Sequence, residues 1–275
     1  MMINKVWAVY FSATGTTEKI VTKIAKTVAQ KLGIEYGTRD FTLPVSRAEN
    51  LKFNANDLVI FGTPVYAGRV PNLMLKYLAT IEGNDAIGVP VVLYGNRNYD
   101  DALIELRDIL EKGKIHTIAA AAFIGEHSFS YTLAKDRPDA DDMKLAAEFA
   151  EKIADKVKSI EGTIPENPAD VKGIPEPYRG YYQPRDRTGN HIDIRKVKPL
   201  TNDDCIDCLI CAEVCPMGAI SFENVREVVG ICIKCGACIK KCPVQAKYYA
   251  DEGYLYHKQE LEEEYTRRAE PEFFI

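Results

Sequence analysis

The sequence predicts a doubly wound α/β domain followed by a small, separate module built on cysteine. Three observations carry that expectation. Short apolar runs alternate with stretches of helical periodicity through the first 160 residues. Alternating strands and helices imply a parallel sheet covered on both faces, because crossover helices pack back onto it. All eight cysteines lie between Cys205 and Cys242. Between these regions, residues 161–200 hold six of the fourteen prolines and no sustained periodicity.

The elements follow in order. VWAVYF (6–11) combines β-branched and aromatic residues in a short run, which predicts the first strand. SATGTT then leads into Ile20, Ile24, Val28 and Leu32 at helical spacing. A second strand is expected near 34–41, a third at DLVIFG (57–62), a helix after Pro71, and a fourth strand at VPVVLYG (89–95). A helix near 100–112, a fifth strand at IHTIAAAAFIG (115–125) and a long helix from Pro138 to about Ile160 complete the domain, assigned to 1–160.

Residues 161–200 read as a proline-rich linker. About 40 residues span roughly 35 Å as a flexible coil and up to roughly 120 Å if extended, so length does not fix how the flanking parts meet. Tyr178, Tyr181 and Tyr182 offer the alternative that part of it is anchored against a domain. The cysteine module is assigned to 201–250 and an acidic tail to 251–275. That tail carries eight acidic and three basic side chains, enough to account for the net charge of −5, and is expected as a solvated helix with a frayed end.

Composition narrows the function classes. At 46% apolar and 27% charged residues the chain has material for a buried core, which excludes disorder as the main state. No apolar run approaches a membrane span, and the opening residues lack a signal-peptide pattern, so a cytoplasmic protein is the expectation. The charge-balanced first domain and the acidic remainder offer no basic stripe for a phosphate backbone, so nucleic acid is not an expected partner.

The cysteines repeat. Cys205, Cys208, Cys211 and Cys215 recur 27 residues later as Cys232, Cys235, Cys238 and Cys242, with Pro216 and Pro243 following each set. Both sets read C-x2-C-x2-C-x3-C-P, and residues 201–250 resemble a bacterial two-cluster ferredoxin, in which the fourth cysteine ligates the other cluster. Carried over, that pattern gives cluster I Cys205, Cys208, Cys211 and Cys242, and cluster II Cys232, Cys235, Cys238 and Cys215. Structural zinc is the alternative for C-x2-C spacing, but it has no use for three close thiolates and an exchanged fourth. Ile206, Ile210, Ile220, Ile231, Ile233 and Ile239 are expected to line the clusters. Lys234, Lys240 and Lys241 either offset cluster charge or form a solvated face.

In the first domain, the loop Ser12, Ala13, Thr14, Gly15, Thr16, Thr17 puts hydroxyls and free N–H groups at the positive end of a helix, where a phosphate fits and where a simple helix cap is the plainer reading. It lacks the Gly-Lys-Ser/Thr end of a nucleotide P-loop and the three glycines of a dinucleotide fingerprint. Two further loops leave carboxyl ends of strands, where doubly wound sheets bind ligands: Thr63, Pro64, Val65, Tyr66, Ala67, Gly68, Arg69, and Tyr94, Gly95, Asn96, Arg97, Asn98, Tyr99, Asp100.

In kind and order these three loops resemble those that hold FMN in flavodoxins, and the whole chain resembles the flavodoxin and ferredoxin fusion proteins of anaerobes. The resemblance implies a five-stranded parallel sheet in the order 2-1-3-4-5, followed by a small α+β ferredoxin domain. It implies FMN and two 4Fe-4S clusters. Ser12, Thr14, Gly15, Thr16 and Thr17 would bind the phosphate. Tyr66 and Tyr99 are candidates to pack against the isoalloxazine, with Thr63, Ala67, Gly68, Tyr94, Gly95 and Asn96 along its edge. His127 is placed either at the same rim or on the surface.

The expected function is electron transfer between FMN and the clusters and on to redox partner proteins. The alternative is a flavin-dependent reductase of a small organic acceptor fed by its own clusters. No catalytic acid or base stands out. A homodimer is compatible with either. A third reading leaves the flavodoxin half empty and uses the ferredoxin module only for docking.

Overall fold

The computed structural model describes residues 3–160 and 166–275. The first two residues, and residues 161–165 at the head of the proline-rich segment, lie outside the described residues.

The first half is a parallel sheet with helices on both faces. β1 (Lys5–Tyr10) is central; α1 (Thr16–Leu32) returns the chain to β2 (Glu35–Asp40) at one edge, and β3 (Asp57–Pro64) pairs with the other side of β1. The helix expected after Pro71 is a single turn, α2 (Leu75–Leu78), preceded by a 3₁₀ turn over Asn72–Met74. β4 (Ala86–Tyr94) is buried along its whole length, as a central parallel strand should be. α3 (Ala102–Lys112) follows. The fifth run divides into β5 (Ile115–Thr117) and β6 (Ala120–Ile124), both parallel to β4. α4 (Ala140–Ser159) starts from an Asp139 capping box.

The order through β6 is β2-β1-β3-β4-β6, the doubly wound arrangement. Two apolar layers flank it. Ile20, Val21, Ile24, Phe149 and Ile153 pack on one face from α1 and α4, and Met74, Leu78, Leu103, Leu106 and Leu110 fill the other.

The cysteine module is small. β7 (Leu200–Thr201) pairs antiparallel with β8 (Lys247–Tyr248), closing a unit that contains two one-turn helices, α5 (Ile210–Glu213) and α6 (Ala237–Lys240).

The last residues depart from the solvated, fraying helix that their charge predicts. α7 (Glu252–Glu264) buries Tyr254, His257 and Leu261, and β9 (Glu272–Phe274) adds an antiparallel edge strand to β6. Phe273 stacks on Phe149 at 5.0 Å and meets Phe123 at 5.4 Å. The driving force is the apolar EFF end, which buries aromatic surface beneath a sheet edge that would otherwise stay open.

The proline-rich segment is anchored where it is described. Arg69 lies over the rings of Tyr178 and Tyr181 at 4.7 and 5.0 Å, while its guanidinium grips buried Glu105. Tyr178 donates to Asp108, Tyr181 to the Val70 carbonyl, and the Tyr182 N–H to the Ala67 carbonyl. Between the two readings of the tyrosines, the anchored one describes this segment.

Candidate functional site

The cysteine repeat is a repeat of backbone geometry. Left-handed φ angles recur 27 positions apart, at Asp207 (50°) and Lys234 (57°), at Leu209 (64°) and Gly236 (74°), and at Gly218 (57°) and Gln245 (54°). The sulfur contacts follow the same shift: the Ala219 N–H donates to Cys215 Sγ at 3.3 Å and the Ala246 N–H to Cys242 Sγ at 3.2 Å. These turns wrap the chain around two hollows. Cys205, Cys208, Cys211 and Cys242 line one; Cys215, Cys232, Cys235 and Cys238 line the other.

The cysteines differ in exposure. Cys208 is exposed, whereas Cys211 in the same hollow and Cys235 and Cys238 in the other are each no more than 8% accessible. Burial pushes the metal-free Cys235 thiol up to about 12 and raises Cys238 as well. Holding these sulfurs as thiolates therefore falls to a metal, and loading must release protons. Of the expected isoleucine lining, Ile206 and Ile210 face the first hollow and Ile220 and Ile233 the second. Ile231 departs from the expectation and is exposed.

In the α/β domain, Gly15 caps α1 with a φ of 90° and open space before its Cα. The Glu18 N–H is taken by Ser12 Oγ at 3.0 Å and the Lys19 N–H by the Gly15 carbonyl. Those of Thr16 and Thr17 have no hydrogen-bond partner among the described residues, which leaves donors at the positive helix end. Register aligns Tyr10 with Gly62, so Thr63 sits level with the start of this loop, and its buried Oγ1 has no partner among the described residues.

The other two loops are held by distant segments. Pro64, Val65 and Tyr66 are half-buried, Ala67 is exposed, and Gly68 lies against Asp100. Tyr94 and Tyr99 are buried as a pair with centroids 5.5 Å apart, and the Tyr99 hydroxyl donates to Glu272 of β9. Asn96 donates to the carbonyls of Tyr265 and Arg267 and accepts from the Ala269 N–H. Gly95 packs on the His127 ring. His127 accepts from the Phe129 N–H at 3.1 Å, and burial, with His257, Lys240 and Arg97 nearby, depresses it to about 3. It is thus a neutral, packed imidazole.

The cysteine module meets the α/β domain at this rim. Ala13, Cys235 and Ala237 belong to one apolar core, with Val65, Tyr66, Met217 and Ile233 packed against it. Burial raises the Tyr66 hydroxyl, with Cys235 and Cys232 the next contributors. A side chain at Gly236 would come within 2.5 Å of the Ser128 carbonyl, so the module's second turn needs glycine to approach so closely. Arg47 donates to the Pro216 carbonyl at 2.6 Å. Lys240 is no solvated cation: it pairs with Glu126 and donates to the carbonyls of His127 and Ser130. Lys234 donates to the carbonyls of Arg195 and Cys232.

Comparison with known families matches one stretch in each half of the chain. Residues 8–93 match the flavodoxin domain, and residues 204–247 match the 4Fe-4S dicluster domain. The chain joins a flavodoxin domain to a 4Fe-4S dicluster domain. Among curated proteins, the pyruvate synthase subunit PorD of Methanothermobacter marburgensis is 43% identical over 53 residues, 19% of this chain and 64% of that protein. A ferredoxin of Saccharopolyspora erythraea is 40% identical over 55 residues, 18% of this chain and 51% of its own. Protein RdxA of Cereibacter sphaeroides is 49% identical over 39 residues, 14% of this chain and 8% of its own. The chain thus spans less than two thirds of each of these relatives. Among solved structures, a flavodoxin from the Archaea aligns with 56% of this chain and 99% of its own at 18% identity, with a TM-score of 0.41.

The flavodoxin domain implies FMN and the dicluster domain two iron-sulfur clusters. The residues present fit both groups. Gly15 leaves open space before the uncapped first turn of α1, and the unpartnered Thr63 hydroxyl lies level with that loop. The eight sulfurs are divided four and four around two hollows, with N–H donors already directed at three of them, Cys215, Cys232 and Cys242. Among the described residues no helix is long and apolar enough to cross a membrane.

Proposed function

We propose that this protein carries single electrons between FMN and two 4Fe-4S clusters and on to redox partner proteins. When bound, FMN exchanges one or two electrons and each cluster one. The observation that carries the reading is the shared core: Ala13 of the flavodoxin helix-entry loop and Cys235 of the second hollow are buried in one apolar cluster, with Tyr66 packed against it. Backbone donors of Thr16 and Thr17, with the hydroxyls of Ser12, Thr14 and Thr16, would hold the phosphate. Tyr66 would border the flavin. Cys215, Cys232, Cys235 and Cys238 would hold the inner cluster, and Cys205, Cys208, Cys211 and Cys242 the outer one.

The chain's own contribution is placement. The Lys240 contacts, the Arg47 bond to Pro216 and the shared apolar core hold the two domains against each other, so exchange between them does not wait on diffusion of a tethered partner. An anaerobic redox titration followed by optical and EPR spectroscopy tests the reading. Three centres are expected, one flavin and two clusters. An oxygen-free preparation with zinc in place of iron and sulfide, or without flavin after reconstitution, overturns it.

A further inference from the structure

We propose that Lys247 is the cation that sets the electron affinity of the outer cluster site, its buried ammonium favouring the reduced form of the cluster held by Cys205, Cys208, Cys211 and Cys242. The proposal rests on the electron-carrier reading and adds the residue that makes one site easier to reduce. A break in the cysteine repeat exposes it. Positions 27 residues apart share cysteines, prolines and backbone turns, but Ile220 of the first half returns as Lys247 in the second. The two stand in corresponding walls, Ile220 lining the inner hollow and Lys247 the outer one, at 4% and 2% exposure. Apart from the cysteines, every other described residue lining either hollow is uncharged. A lysine therefore stands where the pattern calls for an apolar side chain.

Burying an ammonium is costly unless an anion faces it. The Lys247 Nζ donates to Thr201 Oγ1 at 2.7 Å and to the Val225 carbonyl, both neutral acceptors, and no carboxylate pairs with it among the described residues. Val225 itself lines the outer hollow, which brings the charge to that wall. The counter-charge is the hollow's own four thiolates around an iron-sulfur core. Burial raises the metal-free Cys211 thiol, and Lys247 is the largest opposing influence; at Cys238 of the inner hollow it comes behind Cys235 and Cys232. The other lysines near the cysteines are engaged differently. Lys241 is exposed, Lys240 pairs with Glu126, and Lys234 is half-buried with its ammonium on the carbonyls of Arg195 and Cys232. Asp207, the counterpart of Lys234 in the first half, is exposed and paired with Arg226 at 2.8 Å.

The sign of the effect follows from charge alone. One electron added to the outer site places one more negative charge beside a fixed positive one, and a buried cation is screened less than one in water. The ammonium therefore stabilises the reduced form over the oxidised one, which is one of the means by which a protein sets the potential of an iron-sulfur site. Ile220, in the same place on the inner hollow, gives no such help.

Anaerobic redox titration of the FMN- and iron-loaded protein, followed by EPR, reads the two cluster sites separately; the outer signal is the one altered by Cys208→Ser. In Lys247→Gln, which keeps a donor and loses the charge, reduction of the outer site should become at least about tenfold less favourable, a fall of about 59 mV for one electron. The inner site should move by less than about threefold. Lys247→Arg, which keeps the charge, should stay within about threefold of wild type at both sites. Equal potentials in wild type and Lys247→Gln, equal shifts at both sites, or a shift in Lys247→Arg as large as that in Lys247→Gln overturns the proposal. Where Lys247→Gln fails to hold iron, the arginine variant decides: iron held at the wild-type potential upholds the charge, and loss of iron there too leaves a packing role and overturns it. A wild-type protein that cannot be loaded with iron and sulfide overturns the electron-carrier reading and the proposal with it; a loaded protein whose potentials ignore the substitution overturns the proposal alone.

Discussion

Gly15 holds a left-handed φ of 90° at the entrance of α1, and no atom lies within 4 Å of the place its Cβ would take. The absent side chain therefore matters for what is to occupy that space and for the backbone angle, since L residues rarely adopt it. An aspartate there would add a carboxylate beside the unpartnered Thr16 and Thr17 donors, competing with a phosphate for the same helix end. Gly15→Asp is expected to release FMN, lowering its affinity by about a hundredfold or more, consistent with about 3 kcal/mol for strain and charge repulsion together. Iron content should be unchanged, because nothing lies within 4 Å of the Gly15 Cβ position and none of residues 12–17 lines either cysteine hollow. Flavin fluorescence titration and iron analysis of the same sample measure both; wild-type flavin occupancy in the variant removes the phosphate assignment.

At the scale of elements, the tail changes what the flavodoxin domain is. Residues 265–269 occupy Asn96 on both its donor and acceptor sides, Arg137 donates to the Ala269 carbonyl, and β9 closes the edge of β6. Deleting residues 265–275 removes those bonds and uncovers Phe123 and Phe149, whose packing against Phe273 is worth about 2 kcal/mol in buried aromatic area. The truncated protein should melt several degrees lower and bind FMN about tenfold more weakly, with its iron retained. Equal melting temperature and equal flavin affinity in full-length and truncated proteins would show that the strand is ornamental. None of this was legible beforehand. Three residues of EFF carry no period, and the surrounding charge points to solvent. The long apolar strands and amphipathic α1, α3 and α4 were legible, since each buries a face whose spacing is written locally. The fifth run read as one strand because Ile118 and Ala119 are as apolar as their neighbours, yet the pairing to β4 breaks there. The helix after Pro71 shrinks to one turn because the apolar NLMLKYL stretch is shared between a 3₁₀ turn and α2.

At the scale of the whole molecule, the spacing of eight cysteines forecasts a compact module but not where it sits, because contact between domains is made by residues with no pattern among themselves. Lys240 is the clearest case. In sequence it is one of three lysines near the cysteines; in the fold its ammonium is enclosed by Glu126 and the carbonyls of His127 and Ser130, and burial lowers its pKa. Replacing it with methionine keeps most of the apolar stem but leaves a half-enclosed carboxylate and two carbonyls without their donor. Breaking such a pair costs on the order of 3 kcal/mol, and here the loss falls on the interface rather than on either domain. In Lys240→Met, hydrogen exchange at residues 126–130 should therefore accelerate by about a hundredfold while the α1 and β4 amides keep their protection. Adding Glu126→Leu should recover much of the slow exchange, because the charge that lost its partner is then gone as well. If the loop exchanges at the wild-type rate in Lys240→Met, the two domains are held together by the Arg47 contact and the shared apolar core without help from this lysine.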